Sequence, residues 1–200
     1  MAIAAISMGL GFWNGLRVTM RDYPEGLNAL DALSDGDVDI AQASEYPLVG
    51  KAFNKDRVRI IANVDKGEYF FVLGRRDRGI KNVADLKGKR IGVTFRTISE
   101  FYLGRFLILN GIQIGDVTRV DLTSAQLEDA IADGAVDAVV SREPLLGTMK
   151  RRLGANSIAW SAQSSQATYV IMVSRNDRIT QHPELVRRFL NSLAEGGSIS

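Results

Sequence analysis

Three short segments carry side chains suited to holding a small polar ligand. Thr94-Phe95-Arg96-Thr97-Ile98-Ser99-Glu100 joins a strand-like stretch to a helical pattern. At such a junction, hydroxyls and free backbone N–H groups gather at a helix N-terminus, where the macrodipole favours an anion. Arg96 adds a charged fork for a carboxylate, sulfonate or other oxyanion. Thr97 and Glu100 also have the Thr-x-x-Glu spacing of a capping box, which is compatible with ligand contact. Ser44-Glu45-Tyr46-Pro47 and Ser141-Arg142-Glu143-Pro144 each follow a small apolar strand. In open α/β sheets ligands bind beyond the carboxyl ends of strands, so both segments are expected to face a cleft. Tyr46 offers stacking or a hydrogen bond, and Arg142 offers charge to an anion. Alternatively, Arg142 and Glu143 pair with each other while Pro144 starts a helix. The candidate ligand-binding residues are Ser44, Glu45, Tyr46, Thr94, Arg96, Thr97, Ser99, Ser141, Arg142 and Glu143.

Turnover finds little support in the residue types. There is no Gly-x-Ser-x-Gly, P-loop or His-Glu-x-x-His. Gly9-Leu10-Gly11 precedes Phe12-Trp13-Asn14, so a dinucleotide fingerprint fails at its third glycine. With no cysteine, thiolate catalysis, disulfides and Cys-based metal sites are excluded, although the compartment is not fixed. The lone His182 precedes Pro183 at a helix start and reads as a capping or surface residue. No base–nucleophile pair is in view, so no catalytic residue, metal or cofactor is expected.

The elements that must position these segments include a module that occurs twice. Residues 29–43 and 127–141 each read as a short amphipathic helix, then Asp-Gly-x-Val-Asp, then an apolar strand. Asp35-Gly36 and Asp133-Gly134 stop the helices, and Asp39 and Asp137 open the strands. One copy per lobe is expected, with a ligand held between two α/β lobes.

Elsewhere, periodicity predicts helices over 2–10, 25–34, 47–54 and 98–110, after Pro144 to Leu153, and from 183 onward. Strands are predicted at 16–20, 38–41, 58–64, 69–73, 90–94, 117–122, 158–160 and 169–173. Residues 43–47 read as a loop, and the polar stretch 161–166 as a flexible crossing. Lobe 1 is expected to comprise 1–74 with 170–200, and lobe 2 to comprise 83–162. Residues 75–82 and 163–169 then form the interlobe crossings.

Composition agrees with a globular chain. The 200 residues are 46% hydrophobic, and 25 Lys and Arg against 23 Asp and Glu leave a net charge of +2. No basic stripe of the kind nucleic acid requires is present, so no nucleic-acid partner is expected. Met1 to Leu10 is apolar but short and lacks a basic leader, so it reads as a first helix, neither a signal peptide nor a span.

The order of motifs resembles one known family. It runs Gly-Phe-Trp at 11–13, then Gly-Leu-x-Val, the first module, and Val83-Ala84-Asp85-Leu86-Lys87-Gly88-Lys89 before a strand. A Thr/Ser-rich helix start, Gly-x-Val-Asp-Ala-Val-Val and Glu-Pro follow. This is similar to the type II solute-binding proteins of ABC importers for nitrate, sulfonates, taurine and thiamine-pyrimidine precursors. The resemblance implies a two-lobed type II periplasmic-binding-protein fold with hinge closure on a small molecule. It places ligand groups at Ser44 to Tyr46, Thr97 to Ser99 and Ser141 to Glu143. Members begin with a strand before the Gly-Phe-Trp helix and continue further, so the first lobe is expected to be truncated. Arg142 stands where relatives commonly carry an aromatic residue, which points to a different ligand.

Three functions compete. The first is non-catalytic binding of a small, anionic solute for an ABC transporter permease, in the periplasm or another extracytoplasmic space, the signal segment not being present in this chain. The second is a ligand-sensing domain joined to signalling domains in the same polypeptide, such as a histidine kinase. The third is a protein resembling a thiamine-pyrimidine biosynthesis enzyme, against which the single histidine and missing cysteine argue.

Overall fold

Asp-Gly ends a helix and Val-Asp leads into a strand in both copies of the module. The computed structural model describes residues 15–53 and 57–197. In chain order the elements begin with α1 (Gly26–Asp35), β1 (Ile40–Ser44), α2 (Glu45–Phe53), β2 (Val58–Gly67) and β3 (Phe70–Arg75). Then come β4 (Arg90–Val93), α3 (Ile98–Leu109), β5 (Thr118–Asp121), α4 (Ser124–Asp133), β6 (Ala138–Arg142) and α5 (Leu145–Leu153). The last are β7 (Ser157–Ser161), β8 (Thr168–Arg175), α6 (Asn176–Gln181) and α7 (Pro183–Gly197). The chain separates into Met1–Asp65 with Tyr169–Ser200, and Lys66–Thr168.

The first unit is built on a three-stranded sheet in the order β1-β8-β2. β1 runs antiparallel to β8, with Ile40 opposite Ser174 and Ser44 opposite Val170. The apolar side of α1 closes over it, bringing Leu30 and Leu33 against Ala41, Ala43, Ile171 and Val173. The second unit carries a five-stranded sheet, β5-β4-β6-β3-β7. β4 is parallel to β5 and β6, whereas β3 is antiparallel to β6 and β7. Strand alternation divides the core. Leu73 and Val139 join Leu127, Ile131, Leu146 and Met149 from α4 and α5. Phe70, on the other face of β3, meets the ring of Tyr102 from α3 at 5.6 Å.

Each unit secures its module in the same way. Gly36 and Gly134 take the left-handed cap conformation, with φ of 90° and 79°, where a side chain would be strained. An arginine ending the neighbouring antiparallel strand then lies on the helix end. Arg75 Nη1 donates to Ile131 O and Ala132 O, both at 2.7 Å. Arg175 Nη1 donates to Leu33 O at 3.0 Å and Val38 O at 3.1 Å. The carbonyls of Ile131, Ala132 and Leu33 belong to the last turn of their helices, poorly satisfied at the negative end of the macrodipole, and Val38 O lies in the turn beyond α1. Each arginine is braced by the aspartate two residues on, Arg75 by Asp77 at 2.6 Å and Arg175 by Asp177 at 3.2 Å.

The module's last aspartate does not open the strand but lies just before it. Asp137 holds Arg90 through Oδ1 at 2.9 Å and accepts the Arg90 N–H through Oδ2 at 2.9 Å. Asp39 holds Arg178 at 2.9 Å.

Several sequence expectations are corrected. Residues 16–19 alternate in burial, but 16–20 make no ladder, and a strand needs a hydrogen-bonded neighbour as well as alternation. The first module's strand is 40–44, not 38–41, because Ser44 is still paired to Val170. The predicted loop at 43–47 does not exist, since α2 starts at Glu45. The lobe boundaries also differ: residues 70–74, expected in lobe 1, form β3, which is paired on both edges inside the second unit's sheet. The helix expected at 2–10, the Gly-Phe-Trp at 11–13 and residue 54 lie outside the described residues.

Two outcomes are expected. Arg75→Met removes the two charge-assisted bonds to the carbonyls of α4 together with the exposed Asp77 pair, and should destabilise the second unit by about 2–4 kcal/mol, measured by denaturant unfolding. For Asp137, burial resists ionisation, but the side chain and N–H of Arg90 outweigh it and hold the carboxyl below its ordinary value. The resulting stability is complete above the unfolded value of about 4 and is lost as pH falls through the folded one. Asp137→Asn should therefore flatten the acid limb of stability below about pH 4, read from unfolding midpoints across pH. An unchanged limb would assign acid unfolding to other carboxylates.

Candidate functional site

β4 and β6 are parallel neighbours, with Gly92 opposite Val139. Their carboxyl ends therefore emerge side by side, at the ladder spacing of about 4.8 Å. The segments containing Thr94, Arg96, Thr97 and Ser99 and containing Ser141, Arg142 and Glu143 leave from this one edge. The structure thus brings two of the three predicted segments together.

The loop after β4 is clamped from β5. Thr94 Oγ1 donates to Leu122 O at 2.8 Å, and Phe95 N donates to Asp121 Oδ1 at 3.0 Å. Arg119 lies over the Phe95 ring, 5.2 Å from its centroid. Arg96 N donates to Glu100 Oε2 at 2.7 Å, and Glu100 Oε1 is paired with Arg119 at 2.7 Å. So held, Arg96 adopts a positive φ of 58°.

The predicted capping box does not form, although Thr97 occupies the N-cap position of α3. Its hydroxyl instead donates to Thr94 O at 2.7 Å and lies 2.6 Å from Ser99 Oγ. Thr97 has one hydroxyl proton, already given to Thr94, so Ser99 is the donor of that second bond. The Glu100 carboxylate that would complete the box is occupied by Arg96 and Arg119. All three hydroxyl protons of the loop are thus spent inside the protein. The N–H groups of Ile98 and Ser99 in the first turn have no side-chain cap and no intrahelical acceptor.

Arg96, Arg119 and Arg142 equal Glu100, Asp121 and Glu143 in number at this edge, so its character depends on which of them are engaged. Glu100 is matched by Arg119. Glu143 Oε2 accepts Gly147 N at 3.0 Å, so it braces α5 and does not pair with Arg142. Arg96 and Arg142 are both exposed, and neither makes an ion pair among the described residues. Ser141 is buried opposite Phe71.

Ser44, Glu45 and Tyr46 lie together in the first unit, where β1 passes directly into α2. Glu45 Oε2 accepts Tyr169 N at 3.0 Å, and Tyr46 is half-buried. A recess of about 820 Å³ in this unit, with Ser34, Arg57, Arg175 and Asn176 in its lining, includes none of the three. Arg119 and Asp121, the residues that shape the loop after β4, were not anticipated. Their only trace in the sequence is charge at alternate positions of a strand (118–121).

Comparison with known proteins follows the fold and the site. The family described as NMT1/THI5 like matches residues 4–199. A putative binding protein of Brucella abortus is 27% identical over 97% of this chain and 61% of its own length. The taurine-binding periplasmic protein of Escherichia coli is 27% identical over 90% of this chain and 56% of its own. Among solved structures, the alkanesulfonate-binding protein of Xanthomonas axonopodis pv. citri bound to MOPS superposes with a TM-score of 0.82. It is 22% identical, over 96% of this chain and 66% of that one. The periplasmic aliphatic sulphonate binding protein of Escherichia coli gives 0.80 at 18% identity, over 98% and 69%. The fold is that of type II periplasmic binding proteins. The chain spans 61% of the length of the Brucella relative it matches.

The left-handed backbone at Arg96 supplies a test of how the loop is built. Arg96→Gly relieves a conformation that costs an L-residue about 1–2 kcal/mol and should raise stability by about 1 kcal/mol or less, once glycine's extra unfolded-state entropy is counted. Thermal unfolding checks this, and a clear loss of stability would mean that the guanidinium itself supports the fold.

Proposed function

The chain belongs to the NMT1/THI5-like family, and from that premise we propose that it binds a small anionic solute, without turnover, for an ABC importer outside the cytoplasm. One observation carries the ligand's charge. Arg96 and Arg142 stand at the carboxyl ends of adjacent parallel strands, exposed and without an ion pair among the described residues, beside a helix N-terminus that no side chain caps. A group with several anionic oxygens suits that setting, because guanidinium forks and N–H groups donate in different directions. Relatives named for taurine and aliphatic sulfonates support a sulfonate-like solute. Their names as binding proteins support import rather than catalysis.

In this reading Arg96, Arg142 and the first turn of α3 contact the anion. Thr94, Thr97 and Ser99 hold the loop in shape through the bonds described above. Ser141 supplies a further polar contact. Glu45 and Glu143 act by fixing their segments, each through a backbone N–H.

Isothermal titration with taurine and with a short alkanesulfonate tests the reading. A lost charge-assisted bond is worth about 1.5–3 kcal/mol, so Arg96→Ala and Arg142→Ala should each weaken binding about ten- to a hundredfold. Unaltered affinity in both variants, or a preference for a cationic solute, would overturn it.

A further inference from the structure

The hydroxyls of the loop after β4 are spent inside the protein, but two others lie further along the same edge of the second unit's sheet. That edge continues from the carboxyl end of β6 to the start of β3, because the two strands are antiparallel and Arg142 is paired with Phe70. It passes next to the carboxyl end of β7, where Ser161 is paired with Phe71. The polar stretch 161–166, expected to be a flexible crossing, leaves from there.

The stretch is fixed from within the second unit. Gln163 is fully buried. Its Oε1 accepts the N–H groups of Tyr69 and Phe70, the latter at 2.8 Å. Its Nε2 donates to Gly67 O at 3.2 Å and to Gln166 O at 2.7 Å. All four bonding positions of the amide are therefore filled by backbone groups. Ala162 N donates to Phe70 O at 2.9 Å. The helix α3 also grips the turn: Arg105 Nη1 donates to Gln163 O at 2.7 Å, and Tyr102 OH to Gln166 O at 3.3 Å. Arg142 belongs to this same face of the sheet. It stands directly opposite Phe70, whose ring meets Tyr102.

Gln166 N closes the turn on Gln163 O at 2.9 Å. The two central residues, Ser164 and Ser165, both have positive φ, 46° and 66°. That is the pattern of a type I′ turn, which favours Asn-Gly or Gly-Gly. Serine at both positions therefore costs the fold stability, and strained residues of this kind cluster at functional sites. Both serines are exposed, and neither hydroxyl makes a hydrogen bond among the described residues.

We infer that Ser164 and Ser165 are specificity-determining residues of the candidate anion site, and that its solute carries an uncharged hydroxyl besides the anionic group. The assignment rests on the anion reading. Arg96, Arg142 and the first turn of α3 take the anion, and the two serine hydroxyls meet the hydroxyl on the organic part. Each can donate or accept, so between them they complete both bonds of such a group. The turn is fixed before binding, so the solute does not have to order it. Glycine would suit the backbone better and bring nothing to the solute.

Calorimetry with two probes that differ by one hydroxyl, ethanesulfonate and 2-hydroxyethanesulfonate, tests this. The parent should bind the hydroxylated probe about three- to tenfold more tightly, the worth of one neutral hydrogen bond. Ser164→Gly combined with Ser165→Gly should abolish that preference, chiefly by weakening the hydroxylated probe. The same variant should keep or raise the midpoint of thermal unfolding, since glycine relieves the left-handed backbone. A turn with only a structural role would move the midpoint and spare the preference. Equal affinity for the two probes in the parent, a preference that survives both glycines, or a lowered midpoint would overturn the inference. Arg142→Ala should weaken both probes and keep their ratio. If it does so while the glycine variant changes nothing, the anion reading stands without the serines. If the parent binds neither probe at millimolar concentration, both fall.

Discussion

A guanidinium lying on the last carbonyls of a helix holds each unit together. In both, the helix of the repeated module ends at a left-handed glycine, and the chain turns back toward the sheet. That turn leaves carbonyl oxygens pointing at the neighbouring strand. Arg75 and Arg175 meet them from the ends of β3 and β8, which are also the strands that pair with β6 and β1. One side chain therefore fixes three things at once: where the helix stops, how the module's strand is registered, and which strand lies beside it. A neutral donor would satisfy the oxygens without answering the negative end of the helix dipole. Asp77 and Asp177 keep each fork in the plane it needs.

The edge of the second sheet shows a division of labour between polar groups. Hydroxyls that a sequence reading assigns to the ligand are consumed in shaping the loop. What that loop leaves for a solute is formal charge and backbone N–H. On the proposed reading, discrimination at the anion would rest on charge and oxygen geometry more than on hydroxyl contacts. The carboxylates nearby keep their charge, but each is engaged by a backbone N–H or by Arg119, so the two arginines without an ion pair, not a net charge, set this edge apart. The strained backbone of Arg96 fits this picture. Glu100 and Asp121 impose it, and the cost is local to the loop that would meet the solute.

Much of this was legible from periodicity and turn chemistry. The helices at 26–35 and 98–109 and the two Asp-Gly stops follow directly from spacing, because their determinants are local. The carboxyl-edge position of Arg96 and Arg142 followed from strand–helix order. What escaped was non-local. Residues 16–20 alternate correctly yet lack a ladder partner, which no local pattern reports. The capping box had the right letters, but Arg119, from another strand, claimed its glutamate. Gln163 stood in a polar run that composition reads as loose, and its four partners include residues more than ninety positions away. One signal was present and unused. Arg75-x-Asp77-Arg78 recurs as Arg175-x-Asp177-Arg178, with an apolar strand before each copy.

That second recurrence changes the meaning of the chain's order. Along the sequence, module and arginine strand alternate twice, but neither module uses the arginine strand that next follows it. The first, ending in β1, waits for β8, and the second, ending in β6, joins β3, already behind it. During synthesis, residues 66–168 have emerged with all five strands of their sheet before β8 is made. The first sheet must hold its place open until Ser174 can reach Ile40, a closure across most of the chain. The ribosome thus delivers the later half of the architecture first. A chain stalled or cut between 168 and 175 would display a finished second unit tethered to an α1–β1 hairpin with an unpaired edge.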